Sequence, residues 1–166
     1  MPVEQCQECG FDSTAWTDAS ALKAVGDLPN RWRDAVEVVA SDDLNRRPRA
    51  DMWSIGEYAN HVREVLFSVR YLLDTAVAAP DSDIGEVPNA PFEPETRLVD
   101  VDRALSGIAR ETHALTERLT QLPDHDWNAT VTLGGDEVDA HWMVRHALHD
   151  ATHHLLDVER LRALLG

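Results

Sequence analysis

The sequence predicts an all-α fold, a four-helix bundle with a long crossover between helices two and three. Four long stretches carry apolar residues at three- and four-residue steps, which is the period of an amphipathic helix. The connection between the second and third stretches far exceeds the roughly 2–8 residues usual between bundle helices. At 166 residues the chain suits one domain, and we divide it into an N-terminal Cys-x-x-Cys tail at 1–16 and a bundle at 17–166.

The four predicted helices are bounded by capping residues, glycines and prolines, and they span residues 17–40, 54–78, 100–122 and 139–164. Pro29 either kinks the first helix or marks its true start. Ser54 and Glu57 have the spacing of a capping box at the start of the second helix. Trp53 and Tyr58 are placed for a hydrophobic staple across that cap.

Two connections differ from ordinary helix turns. Residues 79–99 contain four prolines and show neither a helical nor a strand period. They form either a crossover along the bundle, which would place helices two and three roughly parallel, or a lid over a functional site. Residues 124–138 alternate around Gly134 and Gly135, which predicts a small hairpin or an extended arm with the glycines in the turn.

The charge of the chain restricts its partners. There are 30 acidic residues against 15 basic ones, and the formal net charge is −15. Such a surface repels phosphate backbones and anionic lipids, so we expect neither a nucleic-acid nor a membrane partner. The sequence has no apolar run of about 20 residues and no signal-peptide pattern, which favours a cytoplasmic protein with reduced thiols.

Cys6 and Cys9 form a Cys-x-x-Cys pair followed by Gly10, which suits a metal knuckle because the glycine lets backbone amides turn toward the sulfurs. The pair supplies only two of the ligands that zinc needs. This candidate second metal site therefore requires two more, from histidines or from a second copy of the chain. The alternative is a flexible, reduced tail. Redox catalysis is less favoured, because no βαβ pattern follows.

Histidines give the strongest sign of chemistry. His149 and His153 lie four residues apart in the last helix, the spacing at which one helix face offers two imidazoles to one metal ion. His146 and His154 fall off that line and are not expected to be ligands. His61 interrupts the apolar stripe of helix two, and it is either a buried histidine bonded to a neighbour or the third ligand.

Three imidazoles would leave coordination positions for water or substrate, as in catalytic zinc sites. Glu57, Asp150 and Asp157 lie beside these histidines or one turn away, so they are candidates to orient the rings through their free N–H groups. For each carboxylate taken singly, a solvated helix face is the better-supported alternative. Arg145, one turn before His149, is a candidate to bind an anionic cofactor group, although a surface ion pair is the preferred interpretation.

Two motifs resemble a known family. The stretch WSIGEYANHV at 53–62 resembles the opening of helix two in the DinB/YfiT-like superfamily, and HDATHHL at 149–155 resembles the H-x-x-x-H signature of its last helix. The resemblance covers about 17–164 in length and helix order. It implies a crossover four-helix bundle, often a homodimer, that binds one divalent metal (zinc, nickel or manganese). The ligands that it implies are His61, His149 and His153.

The same superfamily includes the N-terminal domain of mycothiol-dependent maleylpyruvate isomerase and bacillithiol transferases. The resemblance therefore implies a divalent-metal-dependent enzyme: a low-molecular-weight thiol (mycothiol-type) S-transferase, or a thiol-dependent isomerase, acting on small electrophiles. A metal-dependent hydrolase of small molecules and a non-enzymatic metal-binding stress protein are the alternatives. We expect zinc as the metal, with mycothiol as a candidate thiol cofactor. The sequence names neither the substrate nor the role of Cys6 and Cys9.

Overall fold

The computed structural model describes residues 1–86 and 97–166 and shows a helical bundle with a small three-stranded sheet. The helices are α1 (Asp18–Gly26), α2 (Leu28–Glu37), α3 (Ile55–Ala78), α4 (Val101–Thr120) and α5 (Ala140–Leu165). The strands are β1 (Ser82–Gly85), β2 (Val131–Leu133) and β3 (Asp136–Val138). With α1 and α2 together forming the first rod, the architecture is the predicted four-helix bundle.

The predicted first helix is divided in two. α1 ends at Gly26 and α2 begins at Leu28, and Asp27 is the single residue between them. Pro29 lies in the first turn of α2, where its missing N–H removes no helical hydrogen bond. Of the two alternatives for Pro29, the structure therefore shows a helix start. α2 is fixed to the core by Trp32, whose side chain is fully buried.

The start of α3 has the capping box and the staple that the sequence predicts. The backbone N–H of Glu57 donates to Ser54 Oγ at 3.2 Å, and the backbone N–H of Ser54 donates to Glu57 Oε2 at 2.8 Å. The rings of Trp53 and Tyr58 lie 5.4 Å apart across this cap. Together these contacts fix where α3 begins, and hence the height at which its later side chains meet the rest of the bundle.

Glu57 has a structural role beyond the cap. Arg47 donates to both of its carboxylate oxygens, and the backbone N–H of Arg97 donates to one of them at 3.0 Å. Burial by itself raises the pKa of this carboxyl, but these donors and the N–H of Ser54 lower it to about 2. The carboxylate thus joins α3 to the segments that precede and follow it, while its role in orienting His61 stays a prediction.

α3 and α4 run in the same direction, as the predicted crossover requires. Residue numbers in the contacts between α3 and α4 increase along both helices together. The contacting pairs are Gly56–Val101, Arg63–Gly107, Arg70–Glu111 and Asp74–Arg118. An up-and-down pair would show the opposite order. Residues 87–96 lie outside the described residues, so the alternative of a lid at 79–99 falls largely there.

The small sheet contains one predicted hairpin and one unpredicted strand. β2 and β3 pair antiparallel, and Gly134 and Gly135 form their turn with φ of +58° and +90°. β1 follows α3 and pairs parallel with β2, with an irregular register between Asp83 and Gly85. Ser82–Gly85 thus forms a strand within residues 79–99, where the sequence shows no strand period, because Ile84 is the only large apolar residue among these four positions.

The core lies between the inward faces of the helices. The large side chains that are fully buried come from several elements, and they include Ile55, Leu66, Ile108, Leu115, Met143 and Leu148. Within the described ranges 1–86 and 97–166, no helix combines the length and the apolar character needed to cross a bilayer.

Candidate functional site

One face of α5 meets α3 at a cluster of two histidines and a carboxylate. Asp150 and His154 lie one turn apart on α5, and His61 comes from α3. The ligand atoms of the three side chains all lie within 4.8 Å of one another. His61 Nε2 is 3.5 Å from Asp150 Oδ2, and His154 Nε2 is 3.8 Å from the same oxygen. We call these three residues the α3–α5 cluster.

Aromatic rings surround the α3–α5 cluster. The rings of His61 and His154 meet edge to face with 4.9 Å between their centroids. Trp53 packs against His61 at 5.2 Å, and Tyr58 packs against His154 at 5.0 Å. The side chain of His61 is 29% exposed, against 19% for Asp150 and 16% for His154. The cluster is therefore most accessible from the side of His61.

The hydrogen bonds of the cluster leave lone pairs free. His154 Nδ1 is 2.9 Å from Asp157 Oδ2; since a carboxylate only accepts, this nitrogen donates and Nε2 keeps its lone pair. Oδ1 of Asp150 is buried and has no hydrogen-bond partner among the described residues. Burial raises the pKa of Asp150, but His61 and His154 outweigh burial and lower it, so the carboxyl is ionised at neutral pH.

The neighbouring face of α5 meets residues 1–16, the N-terminal segment. Cys6, Cys9, His149 and His153 place their ligand atoms within 4.8 Å of one another, and we call them the N-terminal cluster. Cys6 Sγ lies 3.5 Å from His153 Nδ1. The backbone N–H of Cys9, and next the side chain of His149, lower the pKa of Cys6 to about 6, whereas burial raises the pKa of Cys9.

The predicted ligands His61, His149 and His153 are divided between the two clusters, and within the described part of the chain no metal-ligand cluster unites them. Consecutive helix positions point about 100° apart, so one step from 149 to 150 or from 153 to 154 turns a side chain toward a different neighbour. The structure thus corrects the predicted grouping. It also brings in His154, which the sequence analysis set aside although Asp150 and His154 have the same four-residue spacing.

A family model described as the DinB superfamily matches residues 25–158, most of the chain. The chain belongs to the DinB superfamily. The solved structure of YfiT from Bacillus subtilis, a probable metal-dependent hydrolase with an unusual four-helix bundle topology, matches this protein with a TM-score of 0.69. The two are 12% identical, and the match covers 89% of this chain and 90% of YfiT, so the likeness establishes the fold. No curated protein sequence matches the chain.

Arg145 of this DinB-superfamily bundle is engaged by its own chain. Its Nε and one terminal nitrogen donate to the carbonyl of Trp16 at 3.0 and 2.8 Å. The other terminal nitrogen donates to Asp18 at 2.7 Å. Arg145 therefore fastens the start of α1 and the end of the N-terminal segment to α5. These contacts are those of an ion pair, the interpretation preferred from the sequence over binding of a cofactor.

The α3–α5 cluster of this DinB-superfamily protein fits a divalent cation. Two imidazoles and one carboxylate are ligands of the kind that catalytic zinc sites use. A buried, ionised oxygen such as Oδ1 of Asp150 is costly unless a donor or a cation satisfies it. Asp157 stands behind His154 in the carboxylate–histidine arrangement that orients metal ligands. The sequence makes Asp157 a candidate to orient His153, whereas its hydrogen bond in the structure is with His154.

Proposed function

We propose that this protein is a divalent-metal-dependent enzyme acting on small molecules, with His61, Asp150 and His154 as the metal ligands. The observation that supports it most directly is the buried, ionised Oδ1 of Asp150, which finds no hydrogen-bond partner in the described parts of the chain. Three protein ligands leave coordination positions for water, a thiol or substrate. The net charge of −15 favours a small substrate over a nucleic acid.

The residues of the chain hold the site in place. Asp157 fixes the ring of His154 through Nδ1, so Nε2 points toward Asp150. Trp53 and Tyr58 pack against the two imidazoles and limit the approach of water. Burial raises the pKa of Tyr58 to about 12, so its hydroxyl stays protonated at neutral pH. A divalent cation bound here would lower the pKa of a coordinated water or thiol.

The nucleophile distinguishes the two reactions under consideration. The motif resemblance favours a low-molecular-weight thiol, which makes the protein an S-transferase or a thiol-dependent isomerase for small electrophiles. The structural likeness to YfiT, a probable metal-dependent hydrolase, favours water. Thiol transfer is the finer reaction that we propose, and hydrolysis is the second candidate.

Asp150→Asn tests the metal site, because it keeps the size of the side chain and removes the charge. Loss of even an outer carboxylate partner costs about 10–100-fold in metal affinity, so we expect at least that loss here, together with loss of activity. Metal content and turnover of an electrophile panel are measured with the exposed Asp124→Asn as the matched control. Full metal content and full activity in folded Asp150→Asn would contradict the proposal.

Chelation and thiol dependence separate the reactions. Thiol transfer is supported if chelation removes the activity, metal restores it and added thiol is required. The thiol adduct or the isomer is identified by mass spectrometry. Activity that is metal-dependent without thiol, giving the water-cleaved product, supports the hydrolase. Chelator-insensitive turnover, or a metal-loaded protein without turnover across the panel, rules out a metal-dependent enzyme of this kind and favours a non-enzymatic metal-binding protein.

A further inference from the structure

The N-terminal cluster is separate from the site of the proposed function and has a different ligand chemistry. We propose that Cys6, Cys9, His149 and His153 bind one zinc ion in a closed, structural site that fastens residues 1–16 to α5. The α3–α5 cluster uses none of these side chains, so the two sites are tested independently.

The ligand types and their spacing match a structural zinc site. Cys6 and Cys9 are separated by two residues, and His149 and His153 by three, as in structural sites with two cysteines and two histidines. Their four ligand atoms lie within 4.8 Å of one another. Two thiolates and two imidazoles arranged tetrahedrally select zinc. Because four protein ligands complete a tetrahedron, no coordination position remains for a substrate.

The backbone of the N-terminal segment turns tightly around the two cysteines. The N–H of Gly10 donates to the carbonyl of Cys6, and the N–H of Cys6 donates to the carbonyl of Phe11, both at 2.9 Å. Gly10 has a φ of +73°, a conformation that glycine adopts without strain. This turn brings the sulfur of Cys9 to the same side as that of Cys6, facing α5.

His149 is held as a metal ligand would be. Its ring stacks on Phe11, with 4.5 Å between centroids and 9° between planes. Nδ1 lies 3.3 Å from Glu4 Oε2, and because a carboxylate accepts, Nδ1 donates and leaves the lone pair on Nε2. That Nε2 is buried, and nothing in the described ranges hydrogen-bonds to it. A cation held with the nearby thiolates would satisfy it.

His153 directs Nδ1, and not Nε2, toward the sulfur of Cys6. Nδ1 lies 3.5 Å from Cys6 Sγ, while Nε2 faces Asp157 at 3.7 Å and Glu8 at 3.8 Å. Carboxylates on the far side of the ring favour a proton on Nε2, which leaves the lone pair of Nδ1 facing the sulfur of Cys6. Zinc binds the cysteines as thiolates, so any thiol proton is released to solvent on binding.

Metal content and a cobalt spectrum of the full-length, reduced protein test the proposal. We expect Cys6→Ser to lose about one zinc equivalent relative to wild type, since it removes one of four ligands. His113→Ala, whose side chain is 81% exposed, is the control and keeps the wild-type content. Loaded with cobalt, wild type and Asp150→Asn show thiolate-to-cobalt charge-transfer absorption, and Cys6→Ser does not. Asp150→Asn thus separates this site from the α3–α5 cluster.

Each of the remaining outcomes overturns the proposal. Wild-type zinc content in Cys6→Ser, or a cobalt-loaded wild type without charge-transfer absorption, shows that the thiols bind no metal. A disulfide between Cys6 and Cys9 in protein kept under reducing conditions, seen as a loss of two hydrogens by mass, assigns a redox pair instead.

Where Cys6→Ser does not fold, Glu4→Gln decides, because it keeps all four ligands. We expect about 10–100-fold weaker zinc binding for Glu4→Gln, and unchanged affinity contradicts the arrangement.

Discussion

Arg47 and Glu57 form an ion pair whose side chains are only 5% and 7% exposed, so Glu57→Gln tests how the start of α3 is held. The amide keeps the shape and one oxygen for the cap, but it removes the negative charge that Arg47 contacts in this buried pair. Removing one partner of a buried pair costs roughly 3–5 kcal/mol. A pKa lowered from 4.5 to about 2 corresponds to about 3 kcal/mol, in agreement with the lower end. We therefore expect a loss of about 3–5 kcal/mol.

The same ion pair predicts a pH dependence with a definite sign. The pKa of Glu57 is about 2 in the folded protein, below the ordinary value of 4.5, so the unfolded chain takes up this proton first on acidification. The stabilisation is fully present above pH 4.5 and is lost progressively as the pH falls toward 2. Glu57→Gln lacks this contribution, so its stability should fall less steeply than that of wild type in this window.

Denaturant unfolding followed by circular dichroism measures both effects. Glu64→Gln is the matched control, because Glu64 lies on the same helix in an ion pair with Arg63 but is 49% exposed. Surface pairs contribute about 0–1 kcal/mol, so the control should stay within that range. A loss of unfolding free energy for Glu57→Gln no larger than that of the control would refute the stabilising role of the buried pair. A pH dependence of stability identical to that of wild type would refute it as well.

Two further predictions concern other contacts. Arg145→Gln removes donors to Trp16 and Asp18, so we expect a loss of about 1–3 kcal/mol in unfolding free energy. The KM for thiol should not change. A raised KM at unchanged stability would instead support a role of Arg145 in binding a cofactor. Gly135→Ala places a side chain at a φ of +90°, which should cost about 1–2 kcal/mol in denaturant unfolding. Gly26→Ala is its control: Gly26 is helical with open space around it, so the change should be neutral or stabilising by up to about 1 kcal/mol. Equal effects of the two glycine variants would contradict the strain argument.

Features of the fold that depend on neighbouring residues could be predicted from the sequence. The cap at Ser54 and Glu57, the turn at Gly134 and Gly135 and the helical periods are all local, and the structure contains them. β1 could not be predicted in this way, because it depends on a partner strand almost 50 residues later and its sequence does not alternate between apolar and polar residues. The irregular parallel pairing leaves almost no trace in the sequence.

The candidate site shows a different limit of sequence reasoning. Helical spacing predicts that α5 offers two histidines to one metal ion, and the structure places His149 and His153 in one cluster of candidate ligands and His61 in another. Two adjacent faces of α5 both carry a pair of candidate ligands four residues apart, 149/153 and 150/154, and periodicity does not say which face meets α3. That choice depends on the rotation of α5 in the bundle. The N-terminal segment occupies the other face, and its packing depends on contacts more than 140 positions apart in the sequence.

The parallel alignment of α3 and α4 has a consequence for the order in which the chain folds. In an up-and-down bundle, consecutive helices pair progressively, starting at the short loop that joins them. Here the ion pairs between α3 and α4 join residues 41 and 44 positions apart, and α3, with 24 residues, is about 36 Å long. The chain must travel back along this length and close a large loop before the first of these contacts can form. Folding should therefore be slower than in a hairpin-connected bundle of the same size, with pairing of α3 and α4 as a late event.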